Sequence, residues 1–201
     1  MDQQKVWDEI SGKWNEYKKD KADAEVAEFF KDVKKNEKIL DLGCGSGRNF
    51  VKNKGVIYAV DFSEKMLGYA EEKAKKADIK AEFFVADAGK LPFEDDFFDS
   101  AICTAVLHCI DSEERREKAL RGLYRVLKPK SKTLISVWSK NNERIKNKPK
   151  ESFVPWTVDG KKYGRYTYVY DKNELEDLLK KIGFKVLNSE EGREIVILAE
   201  K

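Results

Sequence analysis

The sequence has 201 residues and a formal net charge of +3, and 41% of its residues are hydrophobic and 38% charged. This length suits one well-buried domain, placed at residues 1–201, and so small a net charge does not by itself indicate a nucleic-acid-binding protein. The three cysteines form no CxxC pair and no apolar run is long enough for a membrane helix, so we predict no disulfide framework, no metal site, no membrane partner and a cytoplasmic location.

The hydrophobic pattern predicts an α/β fold, because short β-branched runs alternate with helical patterns. Residues 3–34 are predicted to form two charged amphipathic helices. Strands are predicted at residues 38–42, 56–60, 81–86, 98–104, 132–138, 184–189 and 194–199. Further helices are predicted at residues 64–76, 112–127 and 171–182. Ser63 and Ser112 are the expected N-caps of the first two, and Pro129 is expected to end the second.

The pattern breaks between residues 139 and 170, where two prolines, two glycines and several aromatic residues show no clear period. So long an irregular connection in a compact domain is usually functional. We therefore expect an irregular insertion that caps the active site from the substrate side. A surface excursion without function is the alternative.

The loop after the first predicted strand holds three glycines, Gly43, Gly45 and Gly47, spaced as GxGxG. Because glycine has no Cβ, the backbone N–H groups of such a loop can approach a ligand closely. Asp61 closes the second strand, where a carboxylate can accept both hydroxyls of a ribose. Asp87 follows the third strand, although aspartate also serves there as an ordinary turn or helix cap.

A dinucleotide-binding oxidoreductase is the rival interpretation of this glycine loop. Its fingerprint is GxGxxG, in which the third glycine lets the helix pack closely beneath a pyrophosphate. In this sequence that place belongs to Arg48, and the third glycine comes one residue early at Gly47. The early glycine disfavours a dinucleotide.

The ordered set of the glycine loop, Asp61, Asp87 and Phe98-Asp99 resembles the class I S-adenosylmethionine-dependent methyltransferases over residues 37–138. The resemblance implies a Rossmann-like α/β fold, with a mostly parallel seven-stranded sheet, helices on both faces and an antiparallel last strand. It also implies that the cofactor is S-adenosyl-L-methionine.

The same resemblance implies roles for single residues. The three glycines would admit the methionine moiety, with Asp41 near its ammonium group through the loop. Asp61 would hold the ribose, while Asp87 and the backbone of Ala88 would contact the adenine. The other residues expected around the cofactor are Trp14, Cys44, Phe62 and Thr104.

A second set of motifs lies at residues 7–10, 105–110, 114–116, 125–129, 154–156 and 165–170. They resemble one branch of this class, the tRNA wobble-uridine 5-carboxymethyl methyltransferases. The resemblance implies methylation of the carboxylate of 5-carboxymethyluridine in tRNA. It also implies that the helices within residues 1–36 cover the cofactor and that a small zinc-binding activator protein is a partner.

A carboxylate acceptor is already ionised at neutral pH, so methyl transfer needs alignment rather than a general base. His108, the only histidine, lies at the end of the fourth predicted strand, where open α/β sheets bind ligands. A purely structural histidine is nearly as good an interpretation. Arg115, Arg116 and Arg165 are candidates for a cationic clamp on the carboxylate. Arg115 and Arg116 are neighbours on a helix and cannot both face the site, so we expect at least one of them in solvent.

Residues 140–165 carry eight Lys/Arg against three Asp/Glu, accompanied by Trp156, Tyr163, Tyr166 and Tyr168. Basic groups with aromatic rings suit a nucleotide, since the charges contact phosphates while the rings stack on unpaired bases. This favours tRNA as the partner and Trp156 as an acceptor-site residue. The alternative is an ordinary surface segment whose Trp156 packs into the core.

Two other functions remain open. The modest net charge favours a small-molecule methyltransferase, since the same core serves many metabolites, and the chain could also be a cofactor-binding subunit without catalysis. Residues 81–85 are expected at a sheet edge, where an apolar strand invites pairing with the activator or with a second copy of the chain.

Overall fold

A computed structural model describes residues 2–17 and 22–201. The helices are α1 (Gln3–Tyr17), α2 (Ala24–Phe29), α3 (Glu64–Ala77), α4 (Glu113–Val126) and α5 (Lys172–Ile182). The strands are β1 (Lys38–Leu42), β2 (Val56–Asp61), β3 (Ala81–Val85), β4 (Phe98–Thr104), β5 (Leu127–Trp138), β6 (Glu151–Val158), β7 (Lys161–Tyr168), β8 (Lys185–Glu191) and β9 (Glu194–Glu200). Two helices therefore lie within the predicted helical region 3–34, of which residues 18–21 are outside the described residues.

Seven strands form one sheet in the order β3-β2-β1-β4-β5-β9-β8. Strands β1 to β5 pair in parallel, whereas β9 pairs antiparallel with both β5 and β8. The predicted mostly parallel seven-stranded sheet with an antiparallel last strand is confirmed. Since parallel strands end at the same edge, Leu42, Asp61, Thr104 and Trp138 all lie along one edge of the sheet.

Helices cover both faces of the sheet. Successive residues of a strand point to opposite faces, and β1 shows this directly. Ile39 packs with Val26 and Leu67 from α2 and α3, whereas Leu40 belongs to the cluster that contains Leu120 of α4 and residues of α5. This two-sided core fixes the strand ends that carry the site.

The capping predictions hold for two helices. Ser63 Oγ accepts a hydrogen bond from the Met66 N–H, and Ser112 Oγ accepts one from the Arg115 N–H, both at 3.2 Å. The end of α4 differs from prediction, because β5 begins directly after Val126 and includes Pro129. The register between β4 and β5 shifts there, and this irregularity lets the strand start earlier than the predicted residue 132.

The prediction of an irregular segment over residues 139–170 is wrong in part. β6 and β7 pair as a regular antiparallel hairpin, and Asp159 and Gly160 form its tight turn with φ of 48° and 77°. Two central residues with positive φ are the geometry of the favoured two-residue hairpin turn. The Asp-Gly dipeptide was the signal in the sequence, and Pro155 inside β6 obscured the strand pattern around it.

The hairpin packs on α1, where Tyr163 shares a small buried cluster with Val6 and Ile10. α1 and the hairpin thus form a second layer over the edge of the sheet where the parallel strands end. Within the described ranges, no helix combines the length and the apolar character that crossing a bilayer requires.

Candidate active site

A cavity opens where the parallel strands end, and α1 and the hairpin line its outer side. Its walls include twelve of the residues named from the sequence, which are Trp14, Gly43, Cys44, Gly45, Asp61, Phe62, Asp87, Ala88, Thr104, His108, Arg115 and Arg165. Four others do not line it, which are Asp41, Gly47, Arg116 and Trp156.

The glycines of the loop after β1 have different functions. A Cβ on Gly43 would lie 2.3 Å from Val106 Cγ2, and one on Gly47 would lie 3.2 Å from the Ala70 Cα in α3. Close packing therefore requires glycine at position 43, whereas Gly47 is favoured by its φ of +73° together with a tight contact. Gly45 has φ of +55°, and a Cβ there would meet nothing within 4 Å. The space in front of Gly45 is open cavity, which a ligand can fill.

Asp61, at the end of β2, is held by backbone donors. Its Oδ2 accepts the Gly45 N–H and its Oδ1 accepts the Ser63 N–H, each at 2.9 Å. Burial raises the pKa of Asp61 to about 6, although these backbone bonds oppose the shift. A carboxylate has further lone pairs beyond the two used here, so Asp61 can also accept hydrogen bonds from the hydroxyl groups of a ligand in the cavity.

Asp41 lies beneath the loop, with 2% of its surface exposed and no hydrogen-bond partner for Oδ2. Burial and the charge of Asp61 raise the pKa of Asp41 to about 7, while Arg48 opposes the shift. A buried carboxylate oxygen without a partner is costly. The loop therefore covers a buried carboxyl oxygen without a partner, which lies beneath the wall of the cavity and does not line it.

Asp87 and Arg115 lie together at one end of the cavity. Asp87 Oδ1 accepts the Gly89 N–H at 2.8 Å, which is the turn-forming role that aspartate often has. Asp87 Oδ2 accepts from Arg115 at 3.0 Å, and Arg115 also contacts Asp111 at 2.6 Å. Arg115 thus belongs to the end of the cavity that Asp87 occupies and is not brought together with Arg165.

His108 lies at the other end, in the 3₁₀ turn Leu107–Cys109 after β4. It is 2% exposed, its Nδ1 accepts the Trp138 N–H at 3.3 Å, and its ring stacks on Trp138 at 4.9 Å. His108 is therefore structurally anchored in the wall of the cavity.

Arg165, in β7, lies among all four tryptophans of the sequence. Its guanidinium carbon is 5.0 Å from the ring of Trp14 and 5.1 Å from that of Trp156. The rings of Trp7 and Trp138 are at 5.7 and 5.8 Å. We call this arrangement the tryptophan cage; Trp7 and Trp14 come from α1, Trp138 from β5 and Trp156 from β6.

Among the described residues, the cation in this cage has no ion-pair partner. Arg165 is 4% exposed, its Nε has no hydrogen-bond partner, and burial lowers its pKa. No carboxylate of residues 2–17 or 22–201 forms an ion pair with it. Aromatic rings compensate only part of the cost of burying a charge, so the cage suits an anionic ligand group at the edge of the cavity.

Arg116 does not face the cavity, and the expectation that it belongs to a clamp on the acceptor does not fit its contacts. It is 4% exposed, and its Nη1 donates to the Ile110 carbonyl at 3.0 Å and to Tyr166 Oη at 3.3 Å. Its guanidinium also lies 3.9 Å from the ring of Tyr168. Arg116 therefore joins the turn that carries His108 to the strand that carries Arg165.

The aromatic residues suggested for base stacking are not available for it. Tyr163, Tyr166 and Tyr168 are only 5–9% exposed, and Trp156 packs behind Trp14 at 5.1 Å. The rings contribute to the core and to the cage because the hairpin folds onto α1. Trp156 is partly buried against the cluster of Val6, Ile10 and Tyr163, which is closer to the alternative interpretation of a packing role.

The sequence reasoning named Trp14 and a covering role for the N-terminal helices, but it did not name Gln3 and Trp7, which also line the cavity. The Gln3 side-chain amide accepts the Tyr166 N–H at 2.8 Å and donates to the Gly164 carbonyl at 3.4 Å. On the other side, the Gln4 amide donates to the Phe62 carbonyl at 2.7 Å. The only signal in the sequence was the pair of adjacent glutamines, Gln3 and Gln4, at the start of a predicted helix. Their hydrogen-bond partners lie far away in the sequence and could not be inferred from it.

Comparisons with known proteins agree with this architecture. A family model described as a methyltransferase domain matches residues 40–135. The chain is 37% identical over 119 residues to a tRNA (carboxymethyluridine(34)-5-O)-methyltransferase of Arabidopsis thaliana, which covers 59% of this chain and 28% of that protein. The chain thus spans little more than a quarter of the length of this relative.

Two further proteins extend the comparison over more of the chain. A protein of Encephalitozoon cuniculi named a methyltransferase is 30% identical over 160 residues, covering 75% of this chain and 71% of that protein. The crystal structure of a SAM-dependent methyltransferase from Methanosarcina mazei has a TM-score of 0.72 at 21% identity and covers 90% of this chain and 98% of that chain. The latter similarity shows the shared fold.

Proposed function

This chain belongs to the S-adenosylmethionine-dependent methyltransferases, and we propose that its acceptor is the carboxylate of 5-carboxymethyluridine at the tRNA wobble position. The observation that carries this proposal is the buried Arg165 cation in its tryptophan cage, which lines the cavity and forms no ion pair with a carboxylate of residues 2–17 or 22–201. The name of the Arabidopsis relative supports the same acceptor.

The residues of the cofactor end fit S-adenosylmethionine. The open space in front of Gly45 would take the methionine chain, and Asp41, beneath the loop, would lie near its ammonium group through the loop. Asp61 would accept the ribose hydroxyls, with Asp87 and Ala88 at the adenine. When bound, the cofactor supplies a methyl carbon on a positively charged sulfur.

The residues of the acceptor end suit a carboxylate nucleophile. Arg165 would orient the carboxylate by a charge-assisted hydrogen bond, which is stronger in a buried site than in water. His108, which lines the cavity beside Trp138, would help to position the acceptor. No general base is required, because a carboxylic acid with a pKa of roughly 4 is already ionised at neutral pH.

The same arrangement accounts for release of the product. Transfer of the methyl group from sulfur to a carboxylate oxygen would break the sulfur–carbon bond and leave an uncharged ester together with S-adenosylhomocysteine. Arg165 would hold the ester less tightly than the acid, because the ester lacks the negative charge. The buried cation therefore selects the acid over its product.

An activator protein would bind at the edge of the sheet formed by β3. Val85 there is 58% exposed, and the connection from β3 to β4 contains no helix. In place of a helix, Phe93 and Phe97 from this connection cover the rings of Tyr58 and Phe84. All four side chains are only partly buried. An open strand edge beside a thinly covered aromatic face supports docking of a protein partner.

Methyl transfer to defined RNAs tests the proposed acceptor. The purified chain, alone and with the candidate activator, is given methyl-labelled S-adenosylmethionine and an anticodon stem-loop RNA that carries 5-carboxymethyluridine. The same RNA with uridine is the matched control. We expect label in the first RNA only, in a form released by mild alkali as an ester.

Other acceptors give distinct results in this assay. Equal labelling of both RNAs would contradict a carboxylate acceptor. Labelling of small carboxylic acids but of neither RNA would favour a small-molecule methyltransferase. Cofactor binding without any transfer in the presence of the activator would favour a non-catalytic subunit.

A further inference from the structure

Two aromatic side chains remain largely exposed in the described part of the chain, Tyr17 at the end of α1 (51%) and Phe153 in β6 (55%). An exposed ring can stack on an unpaired base, since every base has a flat apolar face. The two rings differ in their neighbours. Tyr17 lies beside a cation, whereas Phe153 lies against Tyr166 and the backbone of Gly164.

The cation beside Tyr17 is Arg144, in the connection between β5 and β6. Arg144 donates a hydrogen bond to Tyr17 Oη, and its guanidinium carbon is 5.4 Å from the ring centroid. It is exposed, and no carboxylate in the described ranges pairs with it, since the adjacent Glu143 pairs with Lys146 at 3.7 Å. The pair thus offers a flat ring and an unneutralised charge side by side.

The ring of Trp156 lies between this pair and Arg165 at the acceptor end of the cavity. The Tyr17 centroid is 5.2 Å from that of Trp156, which in turn is 5.1 Å from the Arg165 guanidinium carbon. A chain attached to an acceptor that reaches Arg165 would therefore pass close to Tyr17. A free small molecule that occupies only the cavity would not reach it.

The turn that carries Arg144 is fixed to the wall of the site. Asn142 Oδ1 accepts the Arg144 N–H at 3.1 Å, and the Ile145 side chain is buried with Trp138 and Val154. Residues 140–150 hold five Lys/Arg and one acidic residue, so their charge attracts a polyanion. A cation held in place loses less entropy when it binds a ligand.

We propose that Tyr17 and Arg144 form a subsite for the RNA nucleotide next to the methylated one. Tyr17 stacks on the base of this nucleotide and Arg144 contacts its phosphate. The subsite rests on the proposed function, because it requires an RNA acceptor. It also takes over the stacking role that the buried tyrosines of the hairpin cannot perform.

Binding of an unmodified anticodon stem-loop RNA tests the subsite without depending on turnover. Tyr17→Ala is expected to weaken binding about tenfold, as loss of one stacked base does. Tyr17→Phe keeps the ring and should bind much more tightly than Tyr17→Ala. Arg144→Ala should weaken binding and reduce the slope of log Kd against log salt concentration by about 0.7, which is the contribution of one single-strand phosphate.

Matched controls separate the subsite from general effects. Phe153→Ala removes an equally exposed ring without a neighbouring cation. Lys185→Ala removes an exposed cation at the start of β8. Lys185 is paired with Glu200 of β9, at the end of the sheet opposite the cavity. Both should remain within about twofold of the wild-type affinity. S-adenosylhomocysteine affinity should stay unchanged in Tyr17→Ala and Arg144→Ala, because neither residue lines the cavity.

The outcomes distinguish the subsite from the function on which it rests. Wild-type RNA affinity in Tyr17→Ala and Arg144→Ala would overturn the subsite and leave the tRNA function in place. A wild-type chain that binds no RNA but methylates a free carboxylic acid would overturn both. Weakened RNA binding in the two variants, with no transfer to 5-carboxymethyluridine, would support the subsite and refute the proposed acceptor.

Discussion

The two ends of the cavity are assembled in different ways. At the proposed cofactor end, the candidate side chains follow β1, β2 and β3 in succession, each at or just after the end of its strand. At the proposed acceptor end, Arg165 comes from the hairpin and its tryptophans from α1, β5 and β6. The first end depends on local sequence at strand ends, whereas the second exists only where distant segments pack together.

The largest effect should follow from changing Arg165. Arg165→Met fills the tryptophan cage with an apolar chain of similar length but removes the charge. We expect kcat/KM for the RNA acceptor to fall about 10²-fold or more, because truncating one partner of a buried charged pair costs about 2–5 kcal/mol. S-adenosylhomocysteine affinity, measured by calorimetry, should stay at the wild-type value.

Arg115→Met is the matched control for this change. Arg115 contacts Asp87 at the cofactor end, so its loss should alter cofactor affinity more than acceptor kinetics. If Arg165→Met left acceptor kinetics intact while Arg115→Met abolished them, the assignment of the two ends would be reversed.

The next largest effect should appear at Asp61. Asp61→Ala removes the carboxylate expected to hold the ribose hydroxyls, and hydrogen bonds to charged groups contribute about 1.5–3 kcal/mol each. We therefore expect S-adenosylhomocysteine to bind at least about tenfold more weakly. Acceptor KM at saturating cofactor should change little.

Asp99→Ala is a suitable comparison for Asp61→Ala. Asp99 also accepts a backbone hydrogen bond, from the Lys38 N–H at 2.8 Å, but it lies near the start of β4 at the opposite end of the sheet. Its replacement should affect stability without affecting cofactor binding. Equal cofactor affinity in the two variants would remove Asp61 from the site.

A smaller effect is expected at Arg116, which connects parts of the acceptor end without facing the ligand. Arg116→Lys loses at least one bond to the Ile110 carbonyl or Tyr166, and should lower the melting temperature by about 3–8 °C. Acceptor KM should rise several-fold while cofactor affinity is retained. A wild-type KM in a destabilised Arg116→Lys would show that the residue is structural only.

The smallest effect is a pH dependence of the cofactor end. Raised pKa values of about 7 for Asp41 and about 6 for Asp61 mean that ionising these groups costs folding free energy. Because an unfolded aspartate ionises near its model value of 3.8, the ligand-free protein should lose stability as pH rises from about 4 to about 7.

The ammonium group of a bound ligand should lower the pKa of Asp41 and so favour its ionised form over its protonated form. S-adenosylhomocysteine affinity should therefore increase by a few-fold between about pH 5.5 and about pH 8. Asp41→Asn should flatten this dependence in calorimetric titrations. An unchanged pH profile in Asp41→Asn would show that Asp41 does not sense the ammonium group.

Sequence alone was sufficient for the fold and for most of the cofactor end. Periodic patterns and serine caps predicted the parallel sheet and its main helices, because these features depend on neighbours a few residues apart. The glycine spacing and the aspartates at successive strand ends predicted the residues that line one half of the cavity, since parallel strands end at a common edge.

Only the tertiary structure decided the acceptor end. His108 and Arg165 could be named from a family resemblance, but the resemblance did not show that four tryptophans surround the guanidinium or that Arg116 faces away from the cavity. The hairpin folds onto α1 through contacts between residues far apart in the chain. Burial, and with it the availability of a charge or a ring for a ligand, is a property of that packing, so no local pattern in the sequence could determine it.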